Sequence, residues 1–239
     1  MTDYHYTGDE LAIFAHAHKW KDYWSSQLAP FVRGDVLEVG AGIGSNTTKL
    51  RHLSTGRWLC LEPDGVLLSE LQDTVSARLS SPVEVVCGTV SSLPEDRIFD
   101  TALYIDVLEH IPDDVTEVAA VAKHIRSGGH IIVLSPAHQL LYSPFDRAIG
   151  HQRRYNCASL LRCTPPNVQP ILVRYLDSAG YCLSLANRMV LRQSSPTLKQ
   201  ILFWDNYILP VSRFIDPLLG FRFGRSILGV WQVSGNRRI

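Results

Sequence analysis

Three glycines and two glutamates early in the chain have a spacing that could hold an anionic ligand with a sugar. The run from Asp35 to Gly44 reads DVLEVGAGIG, which predicts a buried strand, a tight turn and a helix that begins near Ser45. Glycine at 40, 42 and 44 lets the backbone approach a ligand closely and adopt a positive φ. The helix amino terminus behind the turn offers unpaired N–H groups to an anion. Glu62 follows where a βαβ unit places the acid that binds a ribose diol.

A second group of side chains could handle protons. The fourth predicted strand ends in YIDVLEHI, which includes His110, and a later loop, SPFDRAIGHQRRY, contains Asp146 and His151. Histidine titrates near neutral pH and serves as a general base when it lies close to an acceptor. We name His110, His151 and Asp146 as candidate catalytic residues. The alternatives are a structural histidine at 110 and a surface loop in which Asp146 pairs with an arginine of the same segment.

The elements that must position these groups alternate along the chain. Strand-like runs separated by 8 to 15 helical residues predict parallel βαβ units. The predicted strands are Asp35–Gly40, Arg57–Glu62, Val83–Cys87, Phe99–Ile105, Gly129–Ser135, Val168–Leu176 and Arg225–Gln232. The predicted helices are Asp9–Phe31, Ser45–Leu53, Asp64–Arg78, Asp113–Arg126 and Ala158–Cys163, followed by an apolar helical region, Ala179–Phe223.

Composition limits the classes of partner. The formal net charge is zero and the chain lacks a long basic run, so nucleic acid is disfavoured as a partner. The sequence has neither a signal-like amino terminus nor an 18-residue apolar run, and we expect a cytoplasmic protein for which membrane association is unlikely. Five scattered cysteines and the lack of a His/Asp/Glu cluster at ligand spacing predict no metal.

The strand, its internal Glu38 and the Gly-x-Gly-x-Gly turn resemble the first motif of class I S-adenosylmethionine (SAM)-dependent methyltransferases. The segment from Asp106 to His110 resembles their fourth motif. The loop with Gly150, His151 and Tyr155 resembles that of many type 12 relatives, so the chain is similar to the type 11/type 12 group.

The resemblance implies a fold: a Rossmann-like three-layer α/β sandwich with a mostly parallel seven-stranded sheet and an antiparallel last strand. With this fold, we expect the chain to divide into a helical amino-terminal lid at 1–33, a SAM-binding core at 34–178, a helical insertion at 179–224, and the last core strand and carboxy terminus at 225–239. The insertion departs from the family pattern, and we expect it to cover the site or to form a homodimer surface.

The resemblance also assigns the cofactor SAM, with S-adenosylhomocysteine as product. Glu38 would help hold the methionine ammonium, Glu62 the ribose and Pro63 one adenine face. The region after the third strand has no acid, so only a backbone or hydroxyl contact to adenine is expected there. The residues expected to bind the cofactor are Glu38, Gly40, Ala41, Gly42, Gly44, Asn46, Glu62, Pro63, Gly88, Thr89, Asp106 and Val107.

The acceptor should lie beside the aromatic helix and the later loop. The residues expected to bind it are Trp20, Tyr23, Trp24, His138, Tyr142, Phe145, Arg153, Arg154 and Tyr155. For the aromatic helix, the alternative is a place in the core or at a dimer surface.

Together these features predict methyl transfer from SAM to an oxygen or nitrogen of a small organic acceptor. Three alternatives remain open: a nicotinamide-dependent oxidoreductase, a membrane-associated methyltransferase of a lipid or lipid-linked sugar, and a protein that keeps the fold and SAM without transferring a methyl group. Ser45 disfavours the first, because the dinucleotide pattern needs glycine there.

Overall fold

The structure is a computed structural model that describes Tyr6, residues 10–190 and residues 197–234. Parts of the predicted lid, of the insertion and of the carboxy-terminal segment (residues 1–5, 7–9, 191–196 and 235–239) lie outside the described residues. Among the described residues, no helix is long and apolar enough to cross a membrane.

The sheet has seven strands in the order β3-β2-β1-β4-β5-β7-β6. The strand β7 runs antiparallel to both of its neighbours, and the other directly paired strands are parallel. This arrangement confirms the predicted fold class. The strands are β1 (Val36–Val39), β2 (Trp58–Glu62), β3 (Glu84–Cys87), β4 (Phe99–Ile105), β5 (Ile125–Pro136), β6 (Val168–Leu176) and β7 (Ser226–Val233).

Helices cover both faces of this sheet. The α-helices are α1 (Glu10–Phe14), α2 (His18–Leu28), α3 (Ser45–Leu50), α4 (Gly65–Arg78), α5 (Asp114–Lys123), α6 (Pro144–Ala148), α7 (Cys157–Leu161), α8 (Ser178–Val190), α9 (Leu198–Phe203) and α10 (Leu209–Leu218). The first apolar core lies between one face of the sheet and α2, α3, α4, α9 and α10, and the second between the other face, α5 and α7. Because both faces are covered, β5 is fully buried from Ile131 to Leu134.

Local hydrogen bonds explain where the helices near the site begin. Asp64 caps α4 by accepting from the N–H groups of Val66 and Leu67, and Asp113 caps α5. The predicted helix over Asp9–Phe31 is instead two helices that end in a short 3₁₀ turn.

The insertion and the amino-terminal helices are joined by buried carboxylates. Asp205 accepts from the first turn of α2, through Lys19 N at 3.0 Å and Trp20 N at 2.8 Å. Asp216 accepts from the Tyr23 hydroxyl at 2.7 Å and from Asp177 N at 2.7 Å. Both carboxylates are buried, so this part of the insertion supports α2 from behind.

Candidate active site

The glycine turn lies at the carboxyl edge of the sheet, between β1 and α3. Gly40, Gly42 and Gly44 have φ values of 65°, 55° and 79°, which L side chains rarely adopt. A Cβ atom at Gly40 would lie 2.7 Å from the Val107 side chain, so that position has no room for one. The turn thus forms a narrow backbone cradle in which Ala41 is buried.

Glu62 ties this cradle to the end of β2. One carboxylate oxygen accepts from Gly42 N at 2.8 Å and the other from Asp64 N at 3.0 Å. Burial raises the pKa of Glu62, and the two backbone donors oppose that rise. The sequence places Glu62 at the ribose position, and the structure adds a second role for it in fixing the turn.

Glu38 lies beneath the turn and points into the apolar core. It accepts a hydrogen bond from Trp58 Nε1 at 2.9 Å and is 2 % exposed. Burial raises its pKa to about 7. These contacts make Glu38 a brace under the turn, and its contact to the methionine ammonium stays a prediction.

Lys21 is a site residue that sequence reasoning missed. Its ammonium donates to the hydroxyl of Ser45, the first residue of α3, at 2.8 Å, and the side chain is buried. Burial lowers its pKa to about 8. A signal was present in the sequence, because Lys21 falls in the same helical stripe as the buried residues Ala17, Trp24 and Leu28.

The expected adenine region is built from local turns. Gly88 N donates to the Glu62 carbonyl at 3.1 Å, which holds the end of β3 against β2. Thr89 caps the 3₁₀ turn Val90–Ser92, and its hydroxyl lies 2.9 Å from that of Ser91. Pro63 accepts a weak Cys87 thiol contact, and Asn46 is the second residue of α3.

Asp106 marks the centre of a recess at the end of β4. Its φ of 56° is unusual for a residue other than glycine, and such strain concentrates at functional sites. The side chain has an exposed surface, but the surrounding protein displaces part of its water, and this desolvation raises its pKa to about 6. The positive charges of His151, Arg225, Lys21 and Arg154 oppose the rise. Arg225, which sequence reasoning also missed, packs over Trp204 with its guanidinium 3.9 Å from the ring centroid.

Glu109, His110 and His151 meet beside this recess. The two imidazole rings have centroids 4.6 Å apart, and His151 Nε2 lies 3.8 Å from Glu109 Oε1. Burial and then the charge of His151 lower the pKa of His110 to about 4, so this ring is neutral near pH 7. Burial and the charge of Asp106 raise the pKa of Glu109 to about 8, although Ser135 donates to its second oxygen at 2.9 Å.

Asp146 orients His151 and is itself buried. It accepts from His151 Nδ1 at 2.9 Å, from Arg154 Nε and from Ser143, whose N–H begins the capping box of α6. Burial opposes ionisation, but these hydrogen bonds hold the pKa of Asp146 well below its usual range. Burial lowers the pKa of His151, whereas the Asp146 hydrogen bond and nearby carboxylates raise it, and the net shift is upward. Asp146 therefore acts through His151 and pairs with Arg154, as the surface-loop alternative required.

Several residues expected to contact the acceptor also hold the loops of the site in place, and their contact with the acceptor stays a prediction. Arg153 donates to the carbonyls of Ile111 and Pro112 at 3.0 and 2.6 Å, and the buried Tyr155 donates to Asp114 at 2.7 Å. Tyr142 donates to the His151 carbonyl at 2.7 Å. These contacts fix the loops on either side of the histidines.

The remaining expected acceptor contacts divide between core and periphery. Trp20, Tyr23 and Trp24 are at most 7 % exposed, which favours the core alternative over a substrate lid. His138 stacks on Tyr175, with ring centroids 4.7 Å apart. Phe145, in α6, is half-buried.

Part of the amino-terminal segment lies across the mouth of the site. Tyr6 N donates to Asp64 at 2.6 Å, and the Tyr6 ring lies 5.8 Å from that of His110. Leu11 of α1 approaches Gly42, where a Cβ atom would lie 3.6 Å from its side chain. These contacts connect the ends of β2 and β4 over the glycine turn.

The sequence suggested that acids and histidines do not cluster at ligand spacing, and the structure corrects this. One ligand atom each from Glu109, His110 and His151 lies within 4.8 Å of the others. The cluster was missed because His151 is far along the chain from the other two, and only the fold brings it to them.

Comparison with known proteins supports the interpretation of this site. The methyltransferase domain family matches residues 37–133, from β1 into β5. A ubiquinone biosynthesis O-methyltransferase of Ralstonia nicotianae is 24% identical over 109 residues, which cover 45% of this chain and 45% of the relative. A tRNA U34 carboxymethyltransferase of Pseudoalteromonas translucida is 22% identical over 120 residues, which cover 48% of this chain and 37% of the relative. The matched region thus spans less than half the length of these curated relatives.

The fold is shared over nearly the whole chain. A SAM-dependent methyltransferase structure from Clostridium acetobutylicum superposes with a TM-score of 0.59, at 14% identity, over 95% of this chain and 96% of that one. The strand order, the glycine turn and the family match together define a class I α/β methyltransferase fold. Residues 37–133 thus match a methyltransferase domain, and they lie in a fold that the chain shares with SAM-dependent methyltransferase structures.

Proposed function

We propose that the protein transfers a methyl group from SAM to an oxygen or nitrogen of a small polar acceptor and releases S-adenosylhomocysteine. The observation that carries the proposal is the glycine cradle, in which Gly42 N–H is held by Glu62 beside the start of α3. SAM supplies a methyl group that its sulfonium makes electrophilic. The protein's task is therefore mainly to hold acceptor and methyl group in line.

The side chains around the cradle suit the polar parts of SAM. Lys21 and Ser45 supply a cation and a hydroxyl beside α3, where the methionine carboxylate would bind. Glu62 accepts one described hydrogen bond on each oxygen, and each oxygen has a second lone pair for a ribose hydroxyl. Gly88 and Thr89 lie at the end of β3, where the adenine is expected.

The recess around Asp106 supports a polar acceptor. Charged groups from α2, β4, the later loop and the start of β7 act on Asp106, so this region offers charge and hydrogen-bonding groups that a polar acceptor can use and an apolar one cannot. We assign the removal of a proton from the acceptor to His151, whose ring is oriented by Asp146. We propose that His110 lines the side of the recess that faces the acceptor. A positioned base contributes about 10²–10⁴-fold when the acceptor must lose a proton.

Isothermal titration calorimetry tests the cofactor assignment. Wild-type protein should bind SAM and S-adenosylhomocysteine but not NAD, which also separates this proposal from the oxidoreductase alternative. Glu62→Ala should weaken SAM binding by about 10-fold or more, since a hydrogen bond to a charged group contributes about 1.5–3 kcal/mol. The control is Glu70→Ala on the exposed face of α4. Equal SAM affinity in wild type and Glu62→Ala would refute the ribose assignment.

A nucleic acid is the second candidate acceptor, because one similar protein is a tRNA-modifying enzyme. The zero net charge favours a small molecule, and so does the match to a ubiquinone O-methyltransferase. A screen of hydroxylated aromatic and amine acceptors, with tRNA as a parallel substrate, would decide between them. Production of S-adenosylhomocysteine with any acceptor would also exclude a non-methylating role for the fold.

The insertion carries an exposed apolar stripe that supports a homodimer as part of this proposal. Phe203, Tyr207, Phe214 and Leu218 are 52, 67, 73 and 74% exposed and follow each other along α9, the π-helical turn Trp204–Ile208 and α10. Light scattering should show a dimer that Phe214→Glu dissociates. Sedimentation with liposomes would instead favour the lipid-acceptor alternative. We propose a cytoplasmic location, which imaging of a tagged chain would test.

A further inference from the structure

The carboxylate of Glu109 has an oxygen that the surrounding protein does not satisfy. Oε1 is buried and has no hydrogen-bond partner among the described residues, while Oε2 accepts from Ser135 at 2.9 Å. An unpaired buried polar atom destabilises the folded protein and therefore requires an explanation. His151 Nε2, at 3.8 Å, is too far away to donate a hydrogen bond to it.

The side chains around this oxygen are of kinds that bind metals, and their ligand atoms are almost as close together as they would be around a bound ion. Glu109 Oε1 and one ring nitrogen each of His110 and His151 lie within 4.8 Å of one another. Two ligand atoms on a tetrahedral zinc ion lie about 3.4 Å apart, given metal–ligand distances near 2.1 Å. The Glu109–His151 separation is already close to this value, and a small rotation of the His110 side chain would bring in the third ligand.

Outer contacts orient one of these three side chains, His151, as in known metal sites. His151 directs Nδ1 to Asp146 at 2.9 Å, which leaves Nε2 facing Glu109. Arg154 and Ser143 hold Asp146 in turn. A carboxylate–histidine–metal arrangement of this kind fixes the ring tautomer and raises its basicity as a ligand.

We propose that Glu109, His110 and His151 bind one divalent transition-metal ion of the zinc class. Two imidazoles and one carboxylate suit zinc, iron, cobalt or nickel better than magnesium or calcium, which prefer oxygen ligands. Three protein ligands leave at least one coordination position open. That position lies beside the recess around Asp106.

The open position gives the ion a role in the reaction, a role that rests on the proposed methyltransferase function. A hydroxyl group of the acceptor would bind there through its oxygen. Coordination lowers the pKa of the hydroxyl, as it does for zinc-bound water. The O–H bond then breaks near neutral pH, the electron pair stays on the oxygen and the proton passes to solvent. With the ion bound, His151 serves as a ligand, and the ion replaces it as the group that activates the hydroxyl. This points to a hydroxylated acceptor and to O-methylation.

The test uses the full chain, stripped with a chelator and titrated with Co²⁺, whose visible absorption reports coordination by nitrogen and oxygen. One equivalent should bind and should be displaced by Zn²⁺ but not by an equal concentration of Mg²⁺. Glu109→Gln and His151→Asn should each weaken Co²⁺ binding by about 100-fold or more, because changes to outer contacts alone cost 10–100-fold. The control is His52→Asn, a histidine on the exposed surface.

Circular dichroism and SAM titration of the same variants separate the outcomes. Folded variants that bind Co²⁺ as well as wild type does would overturn the metal site, and so would a wild-type preference for Mg²⁺. If metal binding fails while SAM binds, the metal proposal falls and the methyltransferase proposal stands. If Co²⁺ binds as expected but SAM does not, the metal site stands and the methyltransferase proposal falls.

Discussion

Replacing Lys21 with methionine should weaken SAM binding and stabilise the protein at the same time. Methionine keeps most of the length of the side chain and removes its charge. In the structure the ammonium is buried, donates to Ser45 and lies beside the cradle for the SAM carboxylate. A residue that served only stability would not be expected to change the two properties in opposite directions.

The size of the stability change follows from the pKa of Lys21. Burial lowers it from 10.5 to about 8 in the folded state. Because the folded pKa is below the unfolded one, the charged form costs folding free energy at every pH below about 8, and the cost disappears as pH rises towards 10.5. The shift corresponds to roughly 3 kcal/mol at 1.36 kcal/mol per pKa unit. K21M should therefore raise the free energy of unfolding at pH 7 by up to that amount.

K21M should weaken SAM binding by a free energy similar in size to its gain in stability. A charge-assisted contact is worth about 1.5–3 kcal/mol, or about 10- to 150-fold in the dissociation constant. Urea denaturation and SAM calorimetry at pH 7 and pH 9.5 measure both effects. Lys49→Met in α3 is the control, because Lys49 forms a partly exposed pair with Asp22 and should change either quantity little. Unchanged SAM affinity, or a less stable K21M protein, would refute the reasoning.

Three further predictions concern the cradle and its surroundings. In calorimetry, Gly42→Val should lower SAM affinity by about 100-fold or more, because it puts a branched side chain at a positive φ beside Leu11. The control, Gly65→Ala, adds a methyl group where there is open space and should bind SAM normally. The pKa of Glu38 is raised to about 7, so its contribution to stability is present below about pH 4.5 and is lost as pH rises to 7. In urea denaturation, wild type should lose up to roughly 3 kcal/mol of unfolding free energy between pH 4.5 and 7 because of Glu38, and Glu38→Gln should not show this loss. The same pH dependence in both proteins would contradict the assignment. S-adenosylhomocysteine should slow limited proteolysis before Phe31 in wild type but not in Gly42→Val, because α1 packs on the glycine turn. Equal cleavage of wild type with and without the ligand would contradict the prediction that ligand binding orders the amino-terminal helices.

The sheet could be predicted from the sequence because its signals are local. Glycine, proline and polar residues flank each apolar run. All seven predicted strands are present, and every end but one lies within a residue or two of its predicted position. That exception is the start of β5, which begins at Ile125, four residues before the predicted Gly129. Its first part pairs with Phe99 across an irregular register, and no local pattern indicates such a pairing.

Residues of the candidate site could be predicted from the sequence only where they lie together in one short segment of the chain. The glycine turn and Glu62 have fixed spacing within a βαβ unit. Lys21, Arg225 and the Glu109–His151 approach depend on segments that are far apart in the chain. Their positions follow from how α2, β7 and the loop after β5 pack onto the sheet edge. The helical stripe indicates that Lys21 faces inward but not which group it faces, and an arginine before a strand has no local feature that marks it as part of the site.

The residues expected to line the pocket show why the two halves of the site depend on each other. Gln152 N donates to the Glu109 carbonyl at 2.8 Å, and Arg153 donates to the carbonyls of Ile111 and Pro112. The Tyr155 hydroxyl, which donates to Asp114, also lies 3.2 Å from the Leu108 carbonyl. The later loop therefore supplies the hydrogen bonds that the irregular backbone after β4 lacks. The same loop carries His151 to Glu109 and His110. A change that loosens this clamp would therefore disturb the ligand geometry and the recess around Asp106 together, even where no catalytic side chain is altered.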